Sequence, residues 1–502
     1  MTARSLTLVQ PELAAEALGF FRWGHVAGRV LVTNDAGDWA FLGDDEFADL
    51  LTGRVGEGHP RFAELQRKGM LRDGLDLDAL AARVAQRSRN VRRGAYVHVV
   101  TVTLRGAHGA NGQAADAAAL DMSLETAQQV AELALESMSP ALTLELQGQG
   151  GEPLLNFDAV RHLVEVAQRR NKRSTGKQLT INLLTNFAAM SEERAEWLIA
   201  NDVHVITSLD GPADLHDAIR GWKRGSAHAD VVRWIDYFTR RYAELTRDPD
   251  QWHVTALLTV TRATLARGRE VVDEYLARGL RSIQLQPLLA SRVDPAIWAT
   301  VGYPIDAYLE FYRRTLDDIL ERNRGGVALH ERTASIFLTK ILTTDDAGAV
   351  DIQSPYGGGT AQVAYNVDGR VFPDDDARLV DAMGDPLFAL GHVRELALAD
   401  LVKHSTVRAI AAASLLDAQP MCADCWNKPF CGFSPVQNYL TQGDLFGQRP
   451  RCLQCKEHMA VSRRVFEALA SETDTATAEI LKRWTTMRSP LAIDGRLSKQ
   501  AP

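Results

Sequence analysis

LTLELQGQGGEPLLNFDAVRHLVEVAQRRNKRSTGKQLTINLLTN, residues 142–186, holds the fold in miniature. LTLEL (142–146) is a short apolar run of strand character. DAVRHLVEVAQRR (158–170) places apolar residues three and four apart, as one face of a helix requires, and QLTINLLTN (178–186) returns to strand. A strand, a crossover helix and a second strand lie side by side and parallel. Further strands read outward from this unit: VHVVTVTL (97–104), DVHVITSLD (202–210), WHVTALLTV (252–260) and LRSIQLQPLL (280–289). Helical stretches separate them, among them LETAQQVAELALESM (124–138), SEERAEWLIA (191–200), HADVVRWIDYFTRRYAEL (228–245) and LARGREVVDEYLARG (265–279). Six such units predict an α/β fold, a partial (β/α)6 TIM-like barrel, with a doubly wound sheet as the alternative. In either, ligands gather beyond the C-terminal ends of the strands.

Two flanking regions differ in pattern. RVLVTNDAGDWAFLGDDEFADLL (29–51) reads as strand, turn, strand and helix, and 73–93 as an amphipathic helix ending in a basic run. Long helical patterns cover 305–323 and 331–344. SPYGGGTAQVAYNVDGRVFPDDDARLV (354–380) is a short sheet with turns, and closing helices follow 463. The expected division is 1–94 as a small N-terminal α+β domain, 95–335 as the barrel and 336–502 as a C-terminal metal-binding domain with closing helices.

Composition bounds the function. The 502 residues carry 56 basic and 64 acidic side chains, a formal charge of -8, which argues against broad nucleic-acid coating. No basic segment leads into an apolar one at the N-terminus and no membrane-length apolar run occurs, so a cytoplasmic protein without a membrane span is expected. All five cysteines fall between 422 and 455. That is the pattern of a local thiolate metal site in a reducing compartment rather than of a disulfide framework. Cys422, Cys425, Cys431 and Cys452 form the expected set, with Cys455 as the alternate for Cys452 or Cys431; four thiolates suit either Zn(II) or a [4Fe-4S] cluster. The chain has no G-x-S-x-G elbow, H-E-x-x-H helix or P-loop.

Several stretches together resemble the radical S-adenosylmethionine peptide maturases with a C-terminal SPASM domain, and look closest to the maturases of the His-Xaa-Ser peptide system. They are TVTLR before 106, GQGGEPLLNFD around Gly150, Gly151 and Glu152, LLTN (183–186), TSLDGPADLH (207–216), FLTKIL (337–342) and AYNVDGRVFP (364–373). The resemblance implies the radical SAM barrel and a SPASM-like four-cysteine domain. It also implies a C-x3-C-x2-C cluster loop after the first barrel strand. Here Gly106, Ala110 and Gln113 stand at those three positions, and none supplies a thiolate. Reductive radical cleavage is therefore unsupported, and the chain reads as a degenerate member. A second departure concerns the first auxiliary cluster: Asp374 stands at an early ligand position and Ser434 or Pro435 at a late one.

By the same resemblance, Gly150, Gly151 and Glu152 would contact the methionyl amine of S-adenosylmethionine, and Asn186, Ser208 and Asp210 would line the cofactor and substrate pocket. The element reads two residues longer than the usual ELQGGEP. Turn formation and helix capping are the competing roles for these polar residues. His216 and Arg220, four apart on one helical face, are placed to contact Asp214 or Asp217. His108, in the emptied loop, is the candidate for a general base. Three functions follow. One is an accessory protein of ribosomal peptide modification that binds a substrate or leader peptide or an active maturase, with the N-terminal domain resembling a winged-helix peptide-recognition unit. Another is an enzyme that keeps S-adenosylmethionine or another small ligand for nonradical chemistry. The last is an electron-transfer protein using one C-terminal [4Fe-4S] cluster.

Overall fold

Val26 and Arg29 close a hairpin through Ala27 and Gly28, both at positive φ, the turn geometry that suits the right-handed twist of paired strands. The hairpin joins β1 (Arg22–Val26) to β2 (Arg29–Thr33), and β3 (Trp39–Leu42) completes an antiparallel sheet in the order β1-β2-β3. The computed structural model describes residues 13–106, 120–148, 151–220, 225–345, 348–471 and 474–486. Helices Asp44–Leu51, Phe62–Arg67 and Leu77–Arg87 complete the N-terminal unit. It packs on the C-terminal region: Thr33 Oγ1 donates to Trp426 O (2.7 Å), Trp39 Nε1 to Ile341 O (3.0 Å), and a Cβ on Gly24 would lie 2.3 Å from the Trp426 ring.

Six parallel strands form the predicted barrel-like core. They are β4 (Val97–Thr103), β5 (Ala141–Gly148), β6 (Gln178–Leu184), β7 (Val203–Ser208), β8 (Thr255–Val260) and β10 (Leu285–Pro287). Each pairs with its predecessor, so strand order follows chain order and the sheet is a partial barrel rather than a doubly wound one. The sixth strand is broken at Gln284. Its front part, β9 (Ser282–Ile283), pairs instead with β11 (His330–Glu331), at the start of helix Arg332–Leu342.

The sheet also runs past its first strand. β12 (Gln362–Tyr365) pairs parallel with β4, Gln362 opposite Val97, and β13 (Arg370–Phe372) and β14 (Gly391–His392) follow antiparallel, giving nine strands. Side-chain alternation sorts the two faces of β4. Val100 and Val102 enter the large core with Leu144, Leu146 and the residues of helices Leu124–Leu135 and Phe157–Arg170. Val97 and Val99 instead join Tyr356, Phe372 and Val436 in a second core. Residues on both sides of position 335 thus share one sheet. Among the described residues, no helix is long and apolar enough to cross a membrane.

Candidate functional site

At the strand ends Glu152 and Asn186 meet, and internal bonds engage Glu152, Asn186 and Asp210. Glu152 follows β5 and is fully buried. Its Oε1 accepts from Leu154 N (3.0 Å) and Thr185 Oγ1 (2.7 Å), and its Oε2 accepts from Asn186 N (2.8 Å). Burial pushes its carboxyl up, and these donors oppose the rise. Its own N–H donates to Arg105 O at 3.0 Å, so the ends of β4, β5 and β6 meet on this residue. Gly151 is required there, because a Cβ would fall 2.3 Å from Arg105 O. Asn186 Oδ1 accepts from Ala188 N (2.9 Å) in a local turn, and Ser208 is half-buried at the end of β7. Gly106 is exposed after β4, whereas Gly150, His108, Ala110 and Gln113 lie outside the described residues.

Asp210 is fully buried. Arg220 donates to it through Nε (2.6 Å) and Nη2 (2.9 Å), Thr259 N donates to its Oδ1 (3.2 Å), and its own N–H donates to His216 Nδ1 (3.0 Å). Arg220 and His216 therefore serve Asp210. The nearer carboxylates find other partners: Asp214 pairs with Arg267 and Asp217 accepts from His228 N. Burial alone would raise the Asp210 carboxyl, but the Arg220 charge and hydrogen bonds outweigh it and hold its pKa at about 2. A carboxyl that falls from 3.8 to about 2 on folding stabilises the native state by about 2 kcal/mol above pH 4, and the contribution is lost as pH falls through 2. Denaturant titrations between pH 5 and 2 should show that loss, and Asp210→Asn should flatten it.

The thiols correct the expectation of a four-cysteine metal centre. Cys452 is buried with Leu416 and Phe433, and Cys422, Cys431 and Cys455 pack against that apolar cluster, with Cys425 half-buried nearby. The Cys431 thiol faces Gly432 O at 3.6 Å. Among the described residues, no three His, Cys, Asp or Glu side chains are arranged to hold a metal ion. Burial, with the neighbouring cysteines, pushes the Cys422 and Cys455 thiols up to about 11. Neither Zn(II) nor a [4Fe-4S] cluster fits Cys422, Cys425, Cys431 and Cys452 so placed, with or without Cys455. The substituted auxiliary positions have local work: Asp374 Oδ1 caps helix Asp375–Ala382 through Ala377 N (2.7 Å), and Ser434 caps helix Pro435–Gln442.

Two features escaped the sequence. The first is a groove of about 850 Å³ between the N-terminal unit and the C-terminal region, lined by Phe20, Leu77, Leu80 and Val84 and edged by Asp417 and Lys428. No residue of helix Leu77–Arg87 is fully buried, so its apolar side is available to this groove. The adjacent edge of β3 is already occupied: Lys68 Nζ donates to Trp39 O (2.6 Å), and Arg61 and Arg29 donate to Phe41 O. The second is a chamber of about 150 Å³ between β10 and the C-terminal helices, where Arg292, Asp351, Asp376, Glu457 and His458 converge. Burial pushes Asp351 up to about 6 and Glu457 to about 7. Apart from Glu457 and His458, neighbours on helix Leu453–Leu469, these residues come from separate elements and have no spacing that a motif could reveal.

The fold is radical-SAM/SPASM-like, an incomplete parallel barrel whose sheet continues into a C-terminal unit. Among solved structures, anSMEcpe with bound AdoMet matches with a TM-score of 0.58 at 15% identity, covering 77% of this chain and 99% of that one. Streptococcus suis SuiB bound to S-adenosylmethionine matches at 0.50 and 12% identity, covering 87% and 98%. An uncharacterized protein of Methanothermobacter thermautotrophicus is 26% identical over 202 residues, 38% of this chain and 70% of that protein. No family model matches the chain.

Proposed function

We propose that this chain is a peptide-binding accessory of ribosomal peptide modification, built on the scaffold of a radical enzyme and without its radical chemistry. The observation that carries this reading is the state of Glu152: complete burial and three donors from its own chain close off the carboxylate that would otherwise receive a cofactor amine. The described part of the strand-end pocket does not fit S-adenosylmethionine bound in that manner. The sequence adds that Gly106, Ala110 and Gln113 supply no thiolates. Support for a peptide comes from the fold's relatives, since anSMEcpe was captured with the Kp18Cys peptide and SuiB with the precursor peptide SuiA. In this chain the groove along helix Leu77–Arg87 offers an apolar floor with charged edges, which suits an amphipathic peptide segment better than strand addition to the occupied β3 edge.

Calorimetric titration of the full chain with synthetic peptides from open reading frames beside its gene tests the reading. One peptide should bind in the micromolar range, and Leu80→Asp should weaken it at least tenfold, because a charge on the groove floor is desolvated without a partner. Absence of binding by every peptide overturns the proposal.

A further inference from the structure

The chamber beside β10 has a donor and acceptor balance of its own. Arg292 Nη2 lies 2.5 Å from Asp376 Oδ1, which accounts for one carboxylate. Asp351 is exposed and lines the chamber, with Arg292 and the Tyr356 hydroxyl near its carboxylate. Among the described residues, Glu457 receives only a long contact from Tyr308 Oη (3.3 Å), whose proton already goes to Leu285 O at 2.6 Å. Among the described residues, neither Asp351 nor Glu457 forms an ion pair, and the nearby Arg292 is already paired with Asp376.

An independent observation comes from His458. Only 5% of its surface is accessible, and it lines the same chamber. Its Nδ1 lies 3.0 Å from Gly432 O, which can only accept, so Nδ1 carries the proton and Nε2 presents a lone pair. That Nε2 meets no hydrogen-bond partner among the described residues. Gln286, exposed on the barrel side, adds an amide carbonyl. An imidazole acceptor, two carboxylates and an amide oxygen ask for a ligand rich in N–H donors and positively charged; an anion would meet repulsion and an apolar group would strand them all.

We propose that this chamber binds an alkylguanidinium or alkylammonium group, through Asp351, Glu457 and His458 Nε2. The volume admits one such group rather than a folded partner. Where the group belongs to a bound peptide, the inference rests on the peptide reading above; where it is a free amine, it stands without it.

Agmatine, N-butylurea as its neutral analogue, and the tripeptides Ala-Arg-Ala and Ala-norleucine-Ala serve as probes in titrations of the full chain. Agmatine or Ala-Arg-Ala should bind one to one and raise the melting temperature, while the two neutral probes leave it unchanged. Tighter binding of Ala-Arg-Ala identifies a peptide side chain as the source, and tighter binding of agmatine a free amine. Asp351→Asn and Glu457→Gln, nearly unchanged in shape, should each weaken binding at least tenfold. Leu80→Asp, at a groove residue that does not line the chamber, should leave it unaltered, which separates failure of this site from failure of peptide docking. Equal response to N-butylurea, undiminished binding in both chamber variants, or crystallographic density for the guanidinium elsewhere overturns the proposal. A crystal soak of the unaltered protein supplies that last reading even if a variant does not fold.

Discussion

Arg220→Met is expected to destabilise the protein by about 3–5 kcal/mol at pH 7, read as a shift in the midpoint of urea unfolding, because it removes one partner of a buried pair and leaves the other. Asp210 is fully buried and, among the described residues, would keep the Thr259 amide as a donor, with His216 Nδ1 3.3 Å from Oδ2. The deficit should shrink as pH falls toward 4, where the abandoned carboxyl takes up a proton. Sign matters here. In the native protein the lowered pKa makes acid destabilising, whereas in Arg220→Met the carboxyl's pKa rises and acid relieves the uncompensated charge. Asp210→Asn combined with Arg220→Met should recover part of the loss, since neither charge then remains. A simple additive loss in the double variant would show that the two residues do not act as a pair.

Glu152→Ala is expected to cost about 3–5 kcal/mol by the same measurement. It strips the acceptor from Leu154 N, Thr185 Oγ1 and Asn186 N, and a buried donor left unmade costs about 1–3 kcal/mol. Glu152→Gln keeps the shape but replaces one oxygen with an NH2 group. With its carbonyl in the Oε1 position it would still serve Leu154 and Thr185, and only Asn186 N would face a donor. Its cost should fall between zero and half that of alanine. If Glu152→Ala leaves the unfolding midpoint unchanged, the carboxylate does not tie the strand ends together, and the argument from its engagement against cofactor binding fails with it.

The barrel was legible because its signal is local and repeated. Apolar residues alternate in β5 and β6 and recur at helical spacing in the helix between them, and neither pattern depends on a distant partner. Less legible was whatever depends on partners far along the chain. Strand six is broken because β9 pairs with β11, nearly fifty residues later, and no local pattern marks Gln284 as the break. At the site, sequence located the strand-end residues but left their roles open. The deciding facts are distances such as Arg220 Nε to Asp210, 2.6 Å across a ten-residue separation, in place of the nearer Asp214 and Asp217. The cysteines show the same limit: C-x-x-C spacing is compatible with thiolates turned toward one ion and with thiols packed on Leu416 and Phe433, and only the three-dimensional arrangement, with no three ligands converging among the described residues, distinguishes the two. The chamber carried no sequence signal, because its residues span from Arg292 to His458 without a fixed interval.

The pairing of β12 with β4 bears on how the molecule is made. The first barrel strand receives one neighbour from β5 soon after it is synthesised, but its other neighbour lies about 265 residues further along. Until that segment leaves the ribosome, β4 presents an unpaired row of amides and carbonyls in a strand whose side chains are all apolar or buried in the finished protein. Closure of the sheet is then a late, long-range event, slow by the entropy of joining distant parts of a chain and open meanwhile to pairing with another copy. The C-terminal region thus acts on the nascent barrel as a built-in escort, delivering the strand that retires an aggregation-prone edge.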